Sequence, residues 1–451
     1  MPENRSAKVI VVGAGIAGLT AAHFLAKAGI RVKVVEASGR VGGRMITDVV
    51  NGFPVDCGAQ FLSSEYSLLR SLVQDVGLQD SLRTTSPWNA IAREGKICRL
   101  RVSHPFYAMT SGLLGPSVWM KLGWHLWRLN SELESLPLNN YSQWSGLDLE
   151  SVSSWANRTI GPSIIEYLFE PILHGFYFQE PEDTSLALGL MLLAFGSRGA
   201  RTLSLSSGLG SLPEAIAAQL DVALYSPVRS ITSDGNSVTI NTGTARMEAE
   251  YAILAIPAHE AKRLYLGGDD TANRLMAVPY SATINIAIVT ASGFRLPKPL
   301  KDVYGLLIPR RERRHIAAIC IEANKNNECA SRGQLLNILL SHASAMAMMA
   351  LPDDEIVAAV VEEAENYLPG LSAQIATTRL YSWKQAEPCS PIGRAKDIAQ
   401  YRNNPPLDRR IWLAGDSMSM PFTEGAAESG KWAADEICKR VARNPGISPC
   451  S

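Results

Sequence analysis

The first apolar run, AKVIVV at 7–12, is continuous rather than alternating, which predicts a strand buried on both faces. GAGIAG (13–18) follows, then LTAAHFLAKAG, an Ala- and Leu-rich helix that Gly29 ends. RVKVVE (31–36) predicts a second strand, so strand, helix and strand fill about 30 residues. Residues 78–203 then predict a mainly helical stretch, rich in Leu and Trp and broken at prolines. From 221 the pattern turns to short β segments: ALYSPVRSI and NSVTI flank the turn SDGN, and ARMEAEYAILAIP, TINIAIVT and HIAAICIE come after. A helix is predicted over 352–367, then a last strand, RRIWLAG (409–415), and a last helix, EGAAESGKWAADEICKRVA (424–442).

At 451 residues the chain is too long for one ordinary core, and more than one domain is expected. Its 43 Lys and Arg balance 43 Asp and Glu, without the basic excess of a general nucleic-acid binder. The seven cysteines (57, 98, 320, 329, 389, 438 and 450) show no CxxC or Cys/His ligand spacing, so free thiols and no metal are expected. MPENRSAK holds no apolar targeting core, and the long nearly uncharged run Val102–Met120 is broken by Pro105, Gly112, Gly115 and Pro116. A cytoplasmic protein without a transmembrane segment is expected. The seven histidines (23, 104, 125, 174, 259, 315 and 342) are scattered, with no HExxH and no triad order, and predict structural roles.

Chemistry enters at the glycines. Gly13, Gly15 and Gly18 form GxGxxG between a strand and a helix: the first permits the turn, the second lets a pyrophosphate approach, and the third lets helix and strand pack. The first helical turn, with Ile16 and Ala17, offers free N–H groups and a positive dipole end to phosphates. Glu36, ending the second strand, stands where an acid takes ribose hydroxyls.

The stretch that follows, GRVGGRM with Gly42, Gly43, Arg44 and Thr47, matches the GG-R-x-x-T pattern and resembles the FAD-dependent amine oxidases. The resemblance implies that Arg40 and Arg44 lie along the cofactor, Arg44 near the phosphates, where a planar guanidinium suits an anion. VDCGAQFL (55–62) is similar to the segment beneath the flavin and brings in Gly58, Ala59 and Gln60. PVRSI (227–231) is similar to the segment whose valine, here Val228, meets the adenine through its backbone. WLAGDSMSMPFTEGAAESGKWAA (412–434) resembles the second FAD signature, with Gly415, Asp416 on the ribityl or phosphate side, and Gly425 and Ala426 opening a helix toward the flavin pyrimidine. LFEPILHGFYFQEPEDTSL (168–186) and WKQAEPCSPIGR (383–394) look most like the protoporphyrinogen oxidase branch.

The fold implied is α/β: a Rossmann-like FAD-binding domain from 1–77, 204–262 and 406–443, a mainly helical subdomain at 78–203, and a substrate-binding α+β domain at 263–405. FAD is expected to be non-covalent, because Cys389 is not at the family's flavin-attaching distance from Trp383. Two departures narrow the chemistry. Where many amine oxidases carry a lysine holding a water near flavin N5, this chain has Asn285; where monoamine oxidases carry one of two tyrosines, it has Phe422. Both are candidate catalytic-site residues, with Asn285 alternatively a strand residue with a satisfied amide.

The resemblance implies hydride removal from a C–H beside nitrogen in an amine or cyclic amine, giving an imine or a more unsaturated ring, with reoxidation by oxygen expected. A porphyrinogen-type oxidase, a carotenoid-type desaturase and a non-catalytic flavin scaffold are the alternatives. PRRERR (309–314) is either a cluster for substrate carboxylates or a solvated turn. Trp119, Trp124 and Trp127 beside Lys121 and Arg128 mark either an interfacial helix or a helix packed in the substrate domain.

Overall fold

A computed structural model describes residues 8–101, 104–325, 333–403 and 405–443; most of MPENRSAK, Cys329 and Cys450 lie outside them. Val9–Val12 forms the centre of a five-stranded sheet in the order Val222–Ala223, Val32–Val35, Val9–Val12, Tyr251–Leu254, Ile411–Leu413. Every neighbouring pair in it is parallel, and all four residues of the central strand are buried, as a continuous apolar run requires. The helix Ile16–Lys27 packs on the helix Thr423–Arg443. That packing depends on missing side chains, because a Cβ on Gly430 would stand 2.0 Å from the Ala17 carbonyl oxygen. The last helix starts at Thr423, two positions before Gly425.

The second large element is a seven-stranded sheet: Ile375–Trp383, Thr283–Thr290, Leu335–Leu340, Ile316–Ile321, Val303–Leu307, Trp88–Arg93 and Lys96–Arg101. It differs from the sequence expectation, because its last two strands come from the stretch predicted to be mainly helical. Trp88–Arg93 joins in parallel to Val303–Leu307, a partner more than two hundred positions away that no local pattern announces. The remainder of that stretch is mostly helical, including Pro116–Ser135, Val152–Thr159 and Leu186–Ser197, with the short strand Leu82–Thr84 and the start of Thr202–Leu205 also inside it.

The sheet's two faces have different partners. Ile284, Ile286 and Ile288 join Ile356, Val360 and Val361 of the helix Asp353–Ala364 in one apolar core. Thr283, Asn285, Ala287 and Val289 face the opposite way by strand alternation, and Ala287 and Val289 pack on Val50, Phe53 and Val55 of the hairpin Thr47–Val50/Phe53–Asp56. The sheet is thereby laid against the segment that begins at Asp56.

Candidate functional site

The glycine loop is fixed by what cannot fit there. Gly13 has φ +102°, and a Cβ on it would lie 2.5 Å from the Ala255 carbonyl oxygen. Gly15 precedes the helix with no side chain capping it, no acid stands in the first turn where Ile16 and Ala17 lie, and the space a Gly15 Cβ would occupy is open. Gly18 is excluded from any larger residue by Gly13, whose oxygen would be 2.0 Å from its Cβ. Glu36 reaches this loop: Oε2 accepts from the Ala14 N–H at 2.7 Å and Oε1 from Ser38 at 2.9 Å. Ser226 N–H donates to the Glu36 carbonyl at 2.7 Å, which draws the segment holding buried Val228 alongside.

Gly42 N–H donates to the Ala14 carbonyl at 2.8 Å, delivering Gly43 and Arg44 to the same loop. Arg44 Nη1 lies 2.7 Å from Asp416 Oδ2 and donates to the Ala386 carbonyl at 2.8 Å. Burial opposes the Arg44 charge, but Asp416 and Tyr280 outweigh it and keep the guanidinium protonated. Asp416 is aimed by its own chain: Gly415, at φ +128°, is tied to Ser429 Oγ at 2.8 Å, and Arg394 donates to the Asp416 carbonyl at 2.7 Å. Arg40 turns instead to Asp48 at 2.7 Å and remains well exposed.

Asp56 to Gln60 form the floor. Ala59 N–H donates to the Arg44 carbonyl at 2.9 Å, and a Cβ on Gly58 would meet that oxygen at 2.2 Å. Gln60 Nε2 donates to the Asp56 and Gly58 carbonyls at 2.7 and 2.9 Å. Trp383 Nε1 donates to the Cys57 carbonyl at 2.8 Å, and Asn285 Nδ2 donates to the Asp56 and Cys57 carbonyls, both at 3.2 Å. Carbonyls only accept, so the amide nitrogen must face them and Oδ1 points away, enclosed and without a partner. Asn285 is fully buried and holds the floor from behind rather than standing in open space.

Behind the floor lies a charge cluster the sequence did not announce. Lys325 Nζ sits 2.5 Å from Asp56 Oδ2 and 3.0 Å from Glu322 Oε2, with all three side chains under a tenth exposed. Asn337 Nδ2 joins Glu322 to Gln60 at 3.2 and 3.0 Å. Opposite, Phe422 stacks on Tyr66 (centroids 5.3 Å apart, planes at 5°) and meets Phe195 edge-on at 5.9 Å. Ala426 N–H donates to the Phe422 carbonyl at 2.9 Å, and Gly425 admits Met420, whose oxygen would lie 2.3 Å from a Cβ. Glu424 leaves its own helix end and caps another, accepting from Leu68 and Leu69 N–H at 2.8 Å each.

One group in this neighbourhood has no partner. Glu387 makes no side-chain hydrogen bond or ion pair among the described residues. Burial pushes its carboxyl well above the usual range; Asp416 adds to the shift, while Arg44 and Arg394 oppose it. Burial also raises the phenols of Tyr66 and Tyr177, and the Glu387 charge contributes to both. Sequence reasoning passed over Glu387 within WKQAEPCSPIGR, although it is the one acid in that run.

PRRERR is a largely solvated turn, with the Arg310, Arg311 and Arg314 side chains more than half exposed, and its four arginines each meet a glutamate. Arg310 pairs with Glu180, Arg311 with Glu166, Arg313 with Glu170 and Arg314 with Glu362. His174 is no isolated side chain either, lying against Glu170 and Glu180.

The glycine loop, Glu36, Arg44, Asp416 and Asp56–Gln60 are thus tied together by hydrogen bonds and an ion pair, and Asn285 and Trp383 of the seven-stranded sheet reach the same segment. The profile of the flavin containing amine oxidoreductases matches residues 16–438. The chain belongs to that family. Within this family of flavoproteins, the chain is 29% identical over 265 residues to a Mycobacterium tuberculosis protein assigned as a flavin-containing monoamine oxidase; the match spans 55% of this chain and 56% of that relative. It is 23% identical over 438 residues to protoporphyrinogen oxidase 2 of Arabidopsis thaliana, covering 84% of each. Cyclohexylamine oxidase from Brevibacterium oxydans shares the fold, with a TM-score of 0.77 at 20% identity over 97% of this chain and all of that one. A family flavoenzyme takes FAD, and the residues here fit it: the helix N-terminus is uncapped, its first turn holds no acid, and the room above Gly15 is open. No helix of the described residues is long and apolar enough to cross a membrane.

Proposed function

We propose that this oxidoreductase removes a hydride from a C–H beside nitrogen in an amine or cyclic amine, giving an imine or a more unsaturated ring, with oxygen as the acceptor. The observation that carries this reading is Glu387, a carboxyl without a side-chain hydrogen bond or ion pair among the described residues, in the neighbourhood of Arg44, Asp416 and the Tyr66–Phe422 stack. A cationic amine would supply its missing partner. The stacked rings would form an apolar wall that excludes water and orients a flat substrate. When bound, the flavin supplies the redox chemistry.

In this proposal Gly13, Gly15, Ile16, Ala17 and Gly18 receive the pyrophosphate, Glu36 the ribose, Val228 the adenine, and Arg44 and Asp416 the phosphate and ribityl region. Arg40 has a lesser part, since Asp48 already holds it. Gly58, Ala59 and Gln60 lie beneath the ring, Gly425 and Ala426 at its pyrimidine end, and Asn285 positions the floor. FAD is held without a covalent bond, a reading supported by a half-buried Cys389 whose thiol burial pushes up, away from the reactive thiolate. The three-part FAD-binding domain, the helical subdomain and the substrate domain are proposed as the working division, with 88–101 contributed to the substrate sheet. A cytoplasmic enzyme is the working location.

A porphyrinogen substrate is the second reading, favoured by the length of the match to the Arabidopsis enzyme. The paired state of PRRERR weighs against it, since those guanidiniums are already committed to glutamates. Anaerobic mixing with cyclohexylamine, benzylamine, cyclic secondary amines and protoporphyrinogen separates the two. Bleaching of the flavin absorbance by an amine supports the proposal; bleaching by the porphyrinogen alone overturns it.

A further inference from the structure

Two positions past the helix Glu170–Phe176, where helices commonly turn left-handed on a glycine, this chain places Phe178. Its φ is +56°, a region that a bulky side chain enters only at a cost, and the residue is buried. Contacts on either side of Phe178 hold the turn. The Tyr177 carbonyl accepts from Ser281 Oγ at 2.8 Å. The buried Gln179 amide bridges two backbone groups: Nε2 donates to the Pro388 carbonyl at 3.1 Å, and Oε1 accepts from Ser390 N–H at 2.8 Å. One partner is an acceptor and the other a donor, so the bridge needs both on one fork. An amide has them; a carboxylate or an ammonium does not.

These bonds bracket Glu387. The Ala386 carbonyl accepts from Arg44 at 2.8 Å, and the Glu387 carbonyl accepts from Ser281 N–H at 2.8 Å and Oγ at 3.2 Å. Gln179 then secures Pro388 and Ser390, so the backbone is fixed on both sides of a side chain that has no partner. Arg44 and Arg394 both act on the Glu387 charge, yet among the described residues neither forms an ion pair with it. Their donors are spent elsewhere. Arg44 serves Asp416 and the Ala386 carbonyl; Arg394 serves the Cys389, Asp416 and Ser419 carbonyls and Ser390 Oγ. A loosened 386–390 segment would let the carboxylate close on one of these guanidiniums, the nearest relief for an unpaired charge.

We propose that Gln179, presented by the left-handed turn at Phe178, is a positioning residue that keeps the Glu387 carboxylate away from the neighbouring guanidiniums and free for a cationic substrate nitrogen. The inference rests on the amine reading above and adds to it what holds the recognition group in place.

Anaerobic flavin reduction by benzylamine, followed in stopped flow against concentration, gives affinity and limiting rate separately. Inhibition by benzyl alcohol gives the affinity for the same shape without the charge. Gln179→Met keeps the side-chain length and removes both bonds. It should weaken benzylamine binding by roughly tenfold, the scale of one hydrogen bond to a charged group. Limiting rate, benzyl alcohol affinity and FAD content should stay at wild-type values. Should Gln179→Met misfold, Ser281→Ala, which releases the Tyr177 carbonyl, should show the same split, and wild-type benzylamine affinity there overturns the inference. Glu387→Gln separates the two levels. If it leaves benzylamine affinity unchanged, the amine reading falls and this inference with it. If it weakens benzylamine while Gln179→Met does not, the inference alone is overturned. A Gln179→Met variant that loses benzylamine and benzyl alcohol alike, or loses FAD, assigns the amide a purely structural role and overturns it as well.

Discussion

Lys325→Met tests whether the buried charge cluster holds the floor of the groove. The substitution keeps the chain length and removes only the ammonium, leaving Asp56 and Glu322 facing each other with side chains 2% and 8% exposed. Asp56 Oδ1 is already used by Thr47 Oγ1 at 2.6 Å and Leu209 N–H at 2.8 Å, so Oδ2 loses its counter-charge without a substitute. Removing one partner from a buried pair costs about 3–5 kcal/mol. At roughly 2 °C per kcal/mol for a large chain, the thermal midpoint should fall on the order of 5–10 °C. Burial pushes the Glu322 carboxyl up while Lys325 pulls it down, so without the lysine its shift grows. A raised carboxyl pKa contributes stability present below the ordinary carboxylate range and lost as pH climbs through the raised value. The variant's deficit should therefore widen from about pH 5 to about pH 8. The assay is differential scanning fluorimetry of FAD-loaded protein at both pH values, with released flavin counted. Lys325→Met/Asp56→Asn, neutral at both positions, should recover part of the loss, a coupling of about 1–3 kcal/mol. A single-variant cost below about 1 kcal/mol, or strictly additive losses, would refute the role of the cluster.

Glu36→Ala should weaken FAD retention by roughly ten- to a hundredfold, the loss of charge-assisted hydrogen bonds of about 1.5–3 kcal/mol, read by flavin titration; unchanged affinity removes it from the site. Arg44→Lys should fail to restore flavin content, because one ammonium cannot span Asp416 and the Ala386 carbonyl as the fork does, and wild-type content would contradict that. Asn285→Ala frees the Asp56 and Cys57 carbonyls from a shared donor and should slow flavin reduction in stopped flow with FAD content kept; a wild-type rate makes the position merely structural. Glu387→Gln should remove a penalty: the wild-type carboxyl, held above its ordinary value, withdraws stability as pH rises through that raised value, so the variant should melt higher than wild type above it and alike in acid. Parallel melting curves at every pH would contradict this.

Much of the groove could be read along the chain because its parts are local. A glycine whose Cβ space is taken by the next turn, an acid at a strand end and a guanidinium after two glycines leave their spacing in the sequence. Contacts made across the chain leave none. Lys325 meets Asp56 from 269 positions away, and neither lies in a run whose period marks it as special. Trp88–Arg93 reads as a short apolar segment inside a helical region, and only its parallel partner makes it part of the substrate sheet. The place of Asn285 on a strand was legible, but its enclosure depends on the Asp56–Cys57 carbonyls that meet it from another sheet. The charge on Glu387 was visible; its lack of a partner belongs to three dimensions.

The order of strands in the parallel sheet has a consequence for how the enzyme is made. Val9–Val12 needs Tyr251–Leu254 at its side, and that strand in turn needs Ile411–Leu413, whose trailing helix lies on the glycine-loop helix. During synthesis the loop and Glu36 emerge well before Asp416 and the helix Thr423–Arg443, which lie more than three hundred positions later. Closing contacts over such separations is slow, and the waiting chain exposes unpaired strand edges. If Asp416 and that helix hold the flavin as proposed, tight capture is a late event, available only once these distant segments have met. On that proposal cofactor supply acts on the yield of finished enzyme rather than on its first folding steps, and a bound flavin certifies that Ile411–Leu413 found its place beside Tyr251–Leu254.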